Sequence, residues 1–224
     1  MYSILHRNGK QTGSRRQSLL YCDDRRLGRS ADLDDLFKTF ESNLRIFVAE
    51  FAKRRVFVHA GVVGWKGQAI IIPGRSYSGK STLVAELVRA GATYYSDEFA
   101  VLDARGRVHP FIKPIELRAK GTSIQSKVDV SDLGGRSGKK PLPVGLVLIT
   151  RYQPGALWRP KKLTDGKSVL EILLNTVSAR RDPESAFGTL RHVVGQADVL
   201  KGVRGDSIDA VPAILRRLEK RLAK

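Results

Sequence analysis

Apolar positions recur with two periods along this chain, and the changes of period mark its elements. Residues 31–53 carry Leu33, Leu36, Phe37, Phe40, Leu44, Phe47 and Val48 at helical spacing. Asp32, Asp34 and Asp35 fall in the first turn, where the helix dipole favours acids, so an amphipathic helix is predicted there. The period then shortens. RRVFVHAGVVGW alternates as a strand, a glycine turn over residues 64–67 follows, and residues 69–72 form a second apolar run, which together predict a hairpin. STLVAELVRAG returns to the helical period, with Leu83, Val84, Leu87 and Val88 on one face and Gly91 as its stop. TYYSDEFAVLD, GRVHPFI and PVGLVLIT read as further strands. Helices are predicted near residues 165–177, 183–194 and 207–222, with a short strand over 198–203.

Two stretches lack a period. Residues 1–30 read as a basic, poorly ordered extension, and residues 118–143 as a long basic loop or lid within a single domain over residues 31–224. No internal repeat occurs. The chain of 224 residues is long enough for one sizeable core, and no apolar run approaches the ~20 residues of a membrane span. One cysteine, Cys22, excludes an internal disulfide framework and points to a cytosolic compartment.

Charge adds a second signal. Forty Lys and Arg against 22 Asp and Glu leave a net +18, concentrated near both ends and in residues 118–140. Such a field attracts polyanions, acidic proteins or membrane surfaces. A nucleic-acid partner ranks behind these, because no zinc-finger spacing, RNP-like aromatic motif or helix-turn-helix accompanies the charge. Self-association is left open.

The candidate chemistry lies between the hairpin and the next helix. GRSYSGKST fits the phosphate-loop pattern G-x-x-x-x-G-K-[ST] at every fixed position, and it stands after a strand and before a helix, as phosphate binding requires. The loop, Gly74, Arg75, Ser76, Tyr77, Ser78, Gly79, Lys80, Ser81 and Thr82, is expected to hold ATP. Its two glycines permit a tight turn with N–H groups aimed at phosphate, Lys80 supplies charge for the outer phosphates, and the Ser81 hydroxyl suits Mg²⁺. Asp97 and Glu98 follow Lys80 by only 17 and 18 residues, in the strand after the helix. A carboxylate facing the triphosphate could take a proton from an attacking hydroxyl while its neighbour holds the metal.

These pieces together resemble the catalytic domain of the HPr kinase/phosphorylase family, whose fold also underlies phosphoenolpyruvate carboxykinase. The resemblance is carried by His59 before the hairpin, GRSYSGKS, the helix ending at Gly91, SDE with the acidic pair, and IELR from Glu116 to Arg118. It covers roughly residues 56–118. It implies an α/β fold of the phosphate-loop, carboxykinase-like type, a mixed β-sheet flanked by helices. It also implies an ATP- and Mg²⁺-dependent phosphotransferase acting on a hydroxyl of a peptide, protein or small molecule. By the same resemblance Asp97 would be the general base, His59 would sit beside the γ-phosphate, and Arg118 would handle transferred phosphate. Ser81, Glu98 and Glu116 would serve the metal. The family's glycine-rich segment after E-x-R is replaced by AKGTSIQSK, so neither phosphorolysis nor HPr as acceptor is implied. Two other readings remain: a nucleotide-dependent nucleic-acid-binding ATPase, and a non-catalytic nucleotide sensor.

Overall fold

The computed structural model describes residues 1–6, 17–74, 78–118 and 125–223. The chain divides into two compact units, Met1–Phe51 and Ala52–Lys224.

In the first unit, β1 (Tyr2–His6), β2 (Ser18–Cys22) and β3 (Arg25–Ser30) form an antiparallel sheet in sequence order, and α1 spans Leu33–Phe51. The described part of residues 1–30 is therefore a sheet, where the sequence pattern suggested a poorly ordered extension. Only short alternation was available to announce it. Ser18 and Leu20 turn inward, while Asp23 adopts a left-handed φ of 53° at the tight β2–β3 turn. Gly28 makes room for the helix, since a Cβ there would stand 3.1 Å from Leu36 Cδ2. The helix runs close to its expected span, but Phe37, Leu44, Phe47 and Val48 of its apolar stripe are exposed.

The second unit is built on an eight-stranded mixed sheet. Its central hairpin pairs β4 (Val56–Trp65) with β5 (Gln68–Pro73) through a turn at Lys66 and Gly67, both at positive φ. After α2 (Lys80–Arg89) come β6 (Thr93–Ser96), β7 (Phe99–Leu102), β8 (Arg107–His109) and β9 (Ile115–Arg118). β10 (Gln125–Val128) pairs with β9 in a separate two-stranded ribbon. β11 (Leu142–Tyr152), β12 (Lys161–Lys162), α3 (Asp165–Leu173), α4 (Pro183–Gln196), β13 (Asp198–Arg204) and α5 (Ser207–Leu222) complete the unit. The main sheet runs β12-β13-β11-β5-β4-β7-β8, with β6 also on β4.

Both faces of this sheet are covered, which explains why β5 and β11 read as continuous apolar runs. Ala69, Ile71, Val144, Val147 and Val199 point to the face occupied by α3 and α4, where Val169, Ile172, Leu190 and Val193 meet them. Ile70, Ile72, Leu146, Leu148 and Leu200 point to the other face, against Leu83 and Leu87 of α2 and Ile214 and Leu218 of α5. Each fully buried aliphatic side chain is worth about 1.5–3 kcal/mol of transfer free energy. Residues 125–143 belong to this framework and are not a free loop: Tyr94 N–H donates to Arg136 O at 2.8 Å, and Gly138 N–H to Tyr94 O at 2.7 Å. The remainder of that expected lid, residues 119–124, lies outside the described residues. Among the described residues no helix is long and apolar enough to cross a membrane.

The topology already singles out one edge. β5, β11 and β13 are mutually parallel, so Pro73, Tyr152 and Arg204 end their strands on the same side. In open α/β sheets ligands bind outside these carboxyl ends.

Candidate functional site

Gly74 leaves β5 at that edge, and Gly79 opens α2 in a left-handed conformation, φ 79° and ψ 15°. Glycine adopts this conformation without steric cost. Arg75, Ser76 and Tyr77 lie outside the described residues. Lys80 is the first residue of α2 and is 7% exposed, with Nζ donating to the Asp97 carbonyl at 3.4 Å. Gly61 on β4 lets the helix come this near. A Cβ there would meet Val84 Cγ2 at 2.4 Å and Lys80 Cγ at 3.1 Å. Ser81 is half-buried and Thr82 exposed on the same first turn.

Two side chains grip the two ends of the loop. His59 donates from Nδ1 to the Gly74 carbonyl at 2.7 Å, and its own backbone carbonyl accepts from Gly74 N–H at 3.2 Å. Burial lowers the His59 pKa and the neighbouring Lys80 charge adds to this, so both disfavour the charged ring. At the other end Arg204 Nη2 donates to the Gly79 carbonyl at 2.6 Å, and Nη1 donates to Ser207 Oγ at 3.0 Å and Gly205 O at 3.1 Å. Arg204 is 1% exposed, and its Nε has no partner. Sequence reading missed this arginine. Arg151, near the end of β11, is exposed by contrast.

Asp97 and Glu98 occupy the turn between β6 and β7, not a strand. Local chemistry sets that turn: the buried Ser96 hydroxyl accepts from Glu98 N–H at 3.1 Å and Phe99 N–H at 3.0 Å, and Ala60 N–H donates to Glu98 O at 3.1 Å. Asp97 is 8% exposed and accepts from the Ser81 hydroxyl. Its Oδ1 is buried without a hydrogen-bond partner. Burial pushes the Asp97 carboxyl up, against the pull of Lys80 and the Ser81 hydrogen bond. Burial likewise pulls the Lys80 ammonium down, against Asp97 and Glu98. A desolvated carboxylate and a desolvated ammonium thus lie within each other's electrostatic reach beside a helix N-terminus.

The remaining acids are held by a lysine the sequence did not flag. Lys113 Nζ lies 3.0 Å from Glu98 Oε2 and 3.4 Å from Glu116 Oε1, so both carboxylates share one ammonium. Arg118 is exposed at the end of β9, two residues beyond Glu116. Behind the turn, Phe99 stacks edge-on with Phe57, His59 and Phe111, which fixes the His59 ring. Among the described residues no group of three or more His, Cys, Asp or Glu side chains is arranged to hold a metal ion. The oxygen donors nevertheless suit Mg²⁺, which takes one or two carboxylates plus substrate phosphates, because the Glu98 and Glu116 carboxylates already converge on a single cation, Lys113 Nζ.

No family model matches the chain, and none of the curated proteins does. Among solved structures, the Hpr(Ser) kinase/phosphatase from Coxiella burnetii is similar at 15% identity. The match spans 75% of this chain and 91% of that one, with a TM-score of 0.37. A superposition that loose does not establish a shared family or activity.

Proposed function

We propose that this protein is an ATP- and Mg²⁺-dependent phosphotransferase that moves the γ-phosphate to a hydroxyl. The observation that carries the reading is Asp97: a buried carboxylate with one unpartnered oxygen, set beside Ser81 and Lys80 at the N-terminus of α2. A group of this kind, with its pKa raised by burial, is suited to accept a proton from an acceptor hydroxyl. Lys80 and the N-terminal amides of α2 stabilise charge on the outer phosphates. Ser81 and Glu98 would hold the metal, with Glu116 behind them, and Mg²⁺ would supply charge neutralisation for the outer phosphates. His59 acts through the loop: its hydrogen bond to Gly74 O fixes the loop's entry. Arg118 stands at the acceptor side.

The reaction balances simply. The acceptor oxygen bonds to the γ-phosphorus, the bridging oxygen leaves with ADP, and the acceptor proton passes to Asp97. Most of the rate enhancement comes from positioning and electrostatics, as phosphoryl transfer requires. The test is incubation of the purified protein with γ-labelled ATP and a metabolite and peptide extract, followed by mass spectrometry. A phosphate ester on a hydroxyl is expected. Tight ATP binding with no labelled product would favour a nucleotide sensor, and label released only when nucleic acid is added would favour a nucleic-acid-dependent ATPase.

A further inference from the structure

A second concave site lies at the other end of the β4–β7 ladder. Val56 pairs with Leu102 and His59 with Phe99, so the ladder carries three residues from the loop-gripping histidine to this site, about 10 Å of strand. The cavity there has a volume of about 580 Å³ and lies wholly within residues 53–189.

Its rim is cationic by construction. Lys53, Arg54 and Arg55 enter from the segment leading into β4, and Arg105 from the turn between β7 and β8. That turn is rigid. Asp103 Oδ1 accepts from Arg105 N–H and Arg107 N–H, each at 3.0 Å, and Gly106 closes the turn with a left-handed φ of 71°. Asp103 Oδ2 accepts from Arg107 Nε at 2.9 Å and His109 Nε2 at 3.0 Å. Burial alone would push the Asp103 carboxyl up, but the His109, Arg107 and Arg105 hydrogen bonds outweigh it and hold it at about 2. The acid in the pocket is thus wholly engaged, and Arg107 and His109 are its counter-charges. Lys53, Arg54, Arg55 and Arg105 have no carboxylate within ion-pair distance among the described residues. Ser185 and Thr189 of α4 add hydroxyls, while the N-terminus of that helix is already capped by Asp182, whose carboxylate accepts from Ser185 N–H at 3.1 Å.

Four like charges converging on one cavity repel one another unless an anion joins them. The volume is that of a small-molecule pocket, and Arg forks match phosphate oxygens. From this geometry we infer that the pocket is a binding site for a small phosphate-bearing molecule, separate from the phosphate loop and read chiefly by Arg54, Arg55 and Arg105.

The inference is tested by titrating the ¹⁵N-labelled full chain with inorganic pyrophosphate and following backbone amide shifts. Saturable shifts are expected over residues 103–109 and at Ser185, whether or not the phosphate loop also responds. The double variant Arg54→Ser, Arg105→Ser should weaken that response about tenfold or more while leaving shifts at Gly79–Ser81 as in the wild type. Equal titration of the two proteins at residues 103–109 would overturn the inference. So would unsaturable shifts scattered over lysines and arginines across the surface, which diffuse charge alone would give. A glutamate-rich peptide that displaces pyrophosphate from residues 103–109 at lower concentration would also contradict it, making the site one for acidic chains.

Discussion

Arg204 donates to the Gly79 carbonyl across 2.6 Å, tying the last residue of β13 to a glycine 125 positions earlier in the chain. The same carbonyl accepts from Leu83 N–H at 3.1 Å, the first hydrogen bond of α2. Arg204 therefore fixes where α2 begins, and with it the position of Lys80. Replacing it by Met leaves the helix bond but removes a charge-assisted donor, worth about 1.5–3 kcal/mol. Arg204→Met is expected to lower the melting temperature and to weaken ATP binding at least tenfold, by calorimetry, whereas Arg151→Met should change neither.

Gly61 is predicted to be intolerant of any side chain. The Cβ of Gly61→Ala would have to displace Val84 and the Lys80 stem, and overpacking of this kind costs about 1–3 kcal/mol. Thermal unfolding should show the loss, and ATP affinity should fall with it because Lys80 moves.

The sharing of Lys113 between Glu98 and Glu116 gives a metal-dependence prediction. Lys113→Met leaves two neighbouring carboxylates without their common cation, and a divalent ion is the natural replacement. The Mg²⁺ concentration giving half-maximal ATP turnover should drop several-fold, and stability without Mg²⁺ should fall. An unchanged Mg²⁺ dependence would place these carboxylates outside the metal's reach.

Asp97 links function to stability with opposite signs. Its folded pKa lies above the unfolded value of 3.8, so the folded state holds the proton more tightly. The cost of ionising it appears as pH rises from 3.8 through the folded pKa and persists at neutral pH. Asp97→Asn abolishes that cost. At pH 7 the variant should melt at or above the wild-type temperature, and below pH 4 the two should converge, as thermal scans across pH would reveal.

Local signals in the sequence located the elements around the site well. The 56–73 hairpin, α2 and its Gly91 stop, and β13 with α5 all announce themselves through period, glycine placement and length, and the structure forms them close to their expected bounds. The acidic pair was legible as chemistry but not as geometry, because its turn depends on the buried Ser96 hydroxyl. Arg204 and Lys113 were not legible at all. Each acts through a contact fixed by strand order: Arg204 reaches the loop because β13, β11 and β5 are parallel, and no local pattern encodes that. The β1–β3 sheet escaped notice for a different reason. Its strands are five or six residues long with few buried positions, so alternation is too brief to separate from a polar tail.

The central claim, that Asp97 is the base of an ATP-dependent transferase, is met most directly by measuring ATP binding and phosphate transfer side by side in the wild type and Asp97→Asn. With Mg²⁺ present, both proteins should bind ATP with dissociation constants within about threefold, a difference below roughly 0.7 kcal/mol. Label from the γ-phosphate should reach a hydroxyl acceptor only with the wild type, the variant losing at least about a hundredfold in rate. Transfer by Asp97→Asn at the wild-type rate, or a wild type that binds no ATP, would contradict the account.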